Sequence, residues 1–135
     1  MRLNQVTVAV SDVARAVAFY RALGLRTIVL ADHYARFVCP DGDSTFSIHL
    51  SNHIVRSSTV VYFECDDLDA TVARLKQAGI VFDSDPVDQR WLWREARLTD
   101  PDGNPVCLYH AGKNRIDPPW RIEASADAAP SPGAR

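Results

Sequence analysis

Strict alternation of apolar and polar side chains opens the chain. In Gln5-Val6-Thr7-Val8-Ala9-Val10 the three valines share one face, the period-two signature of a half-buried strand. The period then lengthens. Val13, Ala16, Val17, Tyr20 and Leu23 fall on one helical stripe, with Ser11 or Asp12 placed to cap its start and Gly24 where a left-handed C-cap is wanted. Short β-prone runs follow at 26–30, 33–39 and 45–50, the last two separated by a Pro40-Asp41-Gly42 turn. The same order then returns. A strand at 60–65 leads to a cap at Asp66 or Asp67, a stripe of Leu68, Val72 and Leu75, and a stop at Gly79. Strands are expected at 80–83, 91–98 and 105–110, with Asp100–Gly103 as the turn.

The repetition is also literal. SDVARAVAFYRALGL, beginning at 11, returns as DDLDATVARLKQAGI 55 positions later, and ARFVCPDG, beginning at 35, returns as ARLTDPDG 61 positions later. Helix caps and Pro-Asp-Gly turns are common enough to converge singly. Two matched segments in one order, with start and stop signals in register, argue for duplication. The expected fold is α+β: two βαβββ modules, about 3–50 and 59–110, forming a cupped mixed β-sheet with the helices outside. Residues 51–58 read as a linker, and 111–122 as an arm in which NRIDPPWRI packs in extended form. The tail 123–135 is small, polar and proline-containing and is expected to be disordered.

Bulk properties narrow the function classes. At 135 residues, 47% apolar and 24% charged, the chain is one soluble domain. A net charge of −2 gives no electrostatic reason to expect a nucleic acid or an anionic membrane as partner. No apolar run approaches the roughly 20 residues that span a bilayer. Three widely spaced cysteines, Cys39, Cys65 and Cys107, are not a disulfide framework, so a reduced cytoplasm is the expected compartment.

The ordered set SDVARAVAFYRALGL, DDLDATVARLKQAGI and DPDGNPVCLY resembles the vicinal oxygen chelate superfamily, which includes glyoxalase I, bleomycin- and fosfomycin-resistance proteins and extradiol dioxygenases. The resemblance covers roughly residues 3–110. It implies a cup built from paired modules, often completed by two chains in a homodimer. It also implies, in catalytic members, a divalent metal held by one residue from the first and one from the last strand of each module.

Carried onto this chain, those four positions fall on Gln5, on His49 or Ser47, on Val60 and on Cys107. Val60 has no donor atom, and Cys107 is a soft ligand where hard cations want a carboxylate. The expectation is therefore a metal-free cup. If a metal (Zn, Ni, Mn or Fe) is present, Gln5, His49 and Cys107 are its candidate ligands. Alternation places further side chains on the same face: Tyr34, Arg36, Tyr62, Glu64, Trp93, Glu95, Arg97 and Tyr109.

Candidate ligand-binding residues are thus Gln5, Arg36, His49, Tyr62, Glu64, Trp93, Arg97, Cys107 and Tyr109. An aromatic lining with a few fixed charges suits a planar or carboxylated small molecule. Arg36 and Arg97 either clamp an anion or pair across the sheet with Glu95 and Glu64. Three functions remain open: a sequestering protein, a metal-assisted lyase, isomerase or dioxygenase with His49 or Glu64 as base, or an interaction subunit whose cup is filled by Trp120 of the arm.

Overall fold

A computed structural model describes residues 1–122; the expected disordered tail lies outside the described residues. The first module runs β1 (Gln5–Val10), α1 (Val13–Ala22), β2 (Arg26–Ala31), β3 (Tyr34–Val38) and β4 (Thr45–Leu50). The second runs β5 (Val61–Glu64), α2 (Leu68–Gln77), β6 (Val87–Asp88), β7 (Arg94–Thr99) and β8 (Pro105–His110). Of the alternative caps, Asp12 and Asp67 serve: each carboxylate accepts a hydrogen bond from the backbone N–H three residues on, at 2.9 and 3.0 Å.

Each module is a four-stranded mixed sheet, ordered β1-β4-β3-β2 and β5-β8-β7-β6. The first strand lies parallel to the last, because the chain crosses over through a helix between them. The helix-facing side chains of both modules merge into one core. Tyr20, Phe37, Ile48, Leu75 and Ala96 are wholly buried in it, and Phe46 meets Phe63 across the junction with ring centroids 5.7 Å apart. The opposite face of each sheet points away from this core.

Polar contacts lock the modules together. Tyr20 Oη donates to Asp100 Oδ2 at 2.7 Å, and Asn104 Nδ2 donates to the Ala9 carbonyl at 3.0 Å. Ser11 donates from both its backbone N–H and its hydroxyl to Asp102. The Pro-Asp-Gly turn of the second module thus docks on the start of α1. Burial and the Asp100 charge push the Tyr20 phenol far above its ordinary range.

Three sequence expectations need correction. Residues 80–83 form no strand, although Ile80 and Phe82 do pack against the core. The nearby Pro86 has no N–H to give a ladder, and only Asp83 and Ser84 reach β7, both donating to the Arg97 carbonyl. Pairing with β7 shifts to the two residues of β6. The strand expected at 91–98 starts only at Arg94, because Leu92 has φ 66° in a turn closed by its N–H to the Gln89 carbonyl. The arm is not extended: Gly112–Arg115 is a 3-10 turn, capped by Glu64 as described below.

Candidate functional site

On the bare face of the first module, the register aligns Gln5 with Thr45, Thr7 with Ser47, and Ala9 with His49; Tyr34 and Arg36 lie beside them on β3. A polar chain crosses the sheet there. Thr45 Oγ1 donates to Gln5 Oε1, and Gln5 Nε2 donates to Ser47 Oγ at 2.5 Å. Ser47 Oγ lies 2.7 Å from Tyr34 Oη, and Arg36 Nε donates to that phenol oxygen at 2.9 Å. The Ser47 contact pulls the Tyr34 phenol below the usual tyrosine range; burial, the next largest influence, opposes it, and Arg36 and Gln5 add to the lowering. His49 is exposed at the far end of the face.

The second module's face is aromatic. Trp93 stacks on Tyr109 with centroids 4.6 Å apart and an interplanar angle of 20°. The Tyr62 ring stands edge-on to both, at 5.9 and 5.5 Å. These rings, with Cys107, Ala111 and Val60, make a small cluster separate from the main core. Arg97 lies over the Tyr62 ring at 5.5 Å and pairs with Glu95 at 2.9 Å. Glu95 is 2% exposed and also accepts from Trp91 Nε1 at 2.7 Å.

Glu64, at the rim, caps the turn that follows. Its Oε2 accepts from the backbone N–H groups of Ala111 and Gly112, at 2.7 and 3.0 Å. Trp93 Nε1 donates to the Asn114 carbonyl at 3.3 Å, so the same turn borders the aromatic cluster.

The sequence signature of the Glyoxalase/Bleomycin resistance protein/Dioxygenase superfamily matches residues 2–108, the span that builds both faces. The chain belongs to this superfamily. The uncharacterized protein YraH of Bacillus subtilis (strain 168) is 25% identical over 126 residues, covering 81% of this chain and 98% of its own. A bleomycin-binding protein in complex with bleomycin superposes with a TM-score of 0.68 at 21% identity, covering 82% of this chain and 98% of its own. Lactoylglutathione lyase from Agrobacterium tumefaciens superposes at 0.67 and 19% identity, covering 81% and 92%. The two superpositions establish a shared fold.

The superfamily's metal positions are occupied here by a set that does not fit a metal. Both ends of the Gln5 amide are engaged, by Thr45 and Ser47. His49 stands four residues further along the same pair of strands, roughly 13 Å away at about 3.3 Å per residue. Ser47, not His49, is the neighbour of Gln5. Val60 offers no donor, and Cys107 is wholly buried opposite Arg97 on the second sheet. Among the described residues no three His, Cys, Asp or Glu side chains are gathered as a metal set would be. None of the described helices is long and apolar enough to cross a membrane.

Alternation on single strands did not reveal a groove of about 880 Å³ where the modules meet. It is bordered by the α1 C-terminus, the β3–β4 turn, β5 and the start of α2, with Cys39, Cys65, Asp41, Asp66 and Asp67 on its walls. Burial pushes both thiols up, which leaves them protonated and unreactive at neutral pH. The faces turned away from the core carry ordered polar and aromatic groups, whereas this groove mixes Asp41, Asp66 and Asp67 with Arg74, His110 and apolar side chains.

Proposed function

We propose that this superfamily member binds a small aromatic or carboxylated molecule on these faces and does so without a resident metal. The observation that carries the reading is the Tyr62, Trp93 and Tyr109 cluster beside Arg97: rigid rings with a guanidinium at their edge, bordered by an ordered turn. Such a surface suits a planar, conjugated ligand. The sequestering role of a bleomycin-binding protein is the nearer analogy; the chemistry of a lactoylglutathione lyase requires groups that the four metal positions do not supply here.

A second copy of the chain is proposed to complete the site. Both faces turn away from the shared core, and β1 and β5 are outer strands of their sheets. Leu50, Ile54 and Val55 are exposed on and after β4, at 44%, 36% and 80%. A homodimer that sets the first module of one chain against the second module of another would cover these groups and enclose a ligand. Analytical ultracentrifugation is expected to give a dimer at micromolar concentration; a monomer at all concentrations would remove this part of the reading.

Binding itself is tested by tryptophan fluorescence, since Trp93 is in the site. Saturable quenching by aromatic carboxylates is expected, weakened at least tenfold in Tyr62→Ala, on the order of the 1.4 kcal/mol lost with one ring contact. Quenching by no member of a broad aromatic panel would count against the function.

A further inference from the structure

The hydrogen bonds on the first module's face all point one way. Thr45 gives its proton to Gln5 Oε1, which turns the amide so that Nε2 donates to Ser47 Oγ. The Ser47 side chain is wholly buried, and among the described residues its Oγ bonds a donor, Gln5 Nε2, and the Tyr34 oxygen. The Ser47 proton therefore goes to Tyr34. Arg36 Nε donates to the same oxygen. A phenol oxygen has two lone pairs, and both are now occupied. In this arrangement the proton of Tyr34 itself is left for a ligand.

The four strands of this sheet carry no negative charge: no Asp or Glu occurs anywhere in β1, β2, β3 or β4. The acid nearest in sequence to Tyr34 is Asp32 in the turn before β3. The titratable neighbours of Tyr34 on this face are Arg36 and His49; β1 and β2 contribute none beside it, and α1 lies on the other side of the sheet. Arg36 makes no ion pair among the described residues, whereas its counterpart Arg97 is neutralised by the buried Glu95. The repeat has thus kept two arginines and satisfied one.

We propose that Tyr34 and Arg36 form a two-donor cradle for one carboxylate of the ligand, with the Arg36 charge setting the specificity. The inference rests on the small-molecule reading above and adds where the anionic end is held. A carboxylate there takes the free Tyr34 O–H and the uncommitted guanidinium N–H groups as charge-assisted hydrogen bonds. An amide or alcohol of similar shape has no charge to offer the guanidinium and gains far less from the cradle.

Two measurements on the full chain test this. In a pH titration followed by phenolate absorbance, one of the four tyrosines is expected to ionise earlier than the rest. Tyr34→Phe should abolish that phase, and Ser47→Ala should move it toward the ordinary value. Absence of an early phase would overturn the donor arrangement whatever the ligand. Ligand-observed NMR with benzoate and the neutral benzamide is then expected to show preference for benzoate. Benzoate affinity should fall roughly tenfold in Tyr34→Phe, the loss of about one hydrogen bond, and the preference over benzamide should be lost in Arg36→Gln. Equal binding of benzoate by the wild type and both variants would overturn the cradle and leave the aromatic face as the site. If benzamide binds and benzoate does not, the cradle also fails alone; if neither binds, the small-molecule reading falls with it.

Discussion

At the residue scale, some side chains facing away from the helices are tied into the fold by hydrogen bonds, and others keep donors for a ligand. Glu64 belongs to the first group. Its two hydrogen bonds to the Ala111 and Gly112 N–H groups hold the turn at the border of the aromatic cluster, and Arg115 Nε lies 3.8 Å from its other oxygen. A carboxylate so engaged is a strut, not a free base. Glu64→Ala is expected to cost about 1 kcal/mol by removing the acceptor of two N–H groups, of which the Gly112 N–H is open to water. Hydrogen exchange at residues 111–116 should quicken in the same variant; unchanged exchange would contradict the strut. Alternation along a strand correctly assigned Tyr62, Glu64, Arg97, Cys107 and Tyr109 to one face. It was silent on pairing, because a period of two says which way a side chain points and nothing of what it meets. That Glu95 takes Arg97 while, among the described residues, no carboxylate pairs with Arg36 depends on acids being present on one sheet and absent from the strands of the other.

At the element scale, the helices were legible because their stripes, aspartate caps and stop glycines agree with one another. The edge strand of the second module was not. Ile80 and Phe82 satisfy a strand's apolar pattern, yet they pack as a loop whose backbone reaches β7 at the Arg97 carbonyl alone. Tyr20 was readable as part of the α1 stripe, but its hydroxyl finds Asp100, 80 residues away, which no local pattern announces. Tyr20→Phe is expected to lower stability by about 1–2 kcal/mol at neutral pH, as Asp100 Oδ2 loses one of its donors.

The same bond has a pH signature. Folding raises the Tyr20 phenol above its unfolded value of 10.0, so its contribution is complete below about pH 10 and is lost as the pH rises beyond that. Thermal unfolding of the wild type should therefore weaken above pH 10 more steeply than that of Tyr20→Phe, and parallel curves would contradict the assignment. In the shared core, Phe46→Ala should cost about 3–5 kcal/mol, since it opens a cavity where α1, β4 and β5 meet. A much smaller loss in urea denaturation would mean that the two modules do not share that core.

At the scale of the whole molecule, duplication has produced two faces of the same shape and different chemistry. The first is a directed polar network around Arg36, which has no ion pair among the described residues, and the second is an aromatic cluster with a neutralised arginine. Two modules in one superfamily fold were legible from the repeat, but this division of labour was not. It arises from which positions diverged between the copies, and each divergence matters only beside its spatial neighbours. The central claim is that the molecule recognises its ligand with these side chains and not with a metal. The most direct test is calorimetric titration of an aromatic carboxylate into protein purified without chelator, its metal content measured, before and after exhaustive chelation. The account predicts substoichiometric metal and the same affinity in both samples. Near-stoichiometric zinc, nickel, manganese or iron, with binding abolished by chelation and restored by that ion, would contradict it.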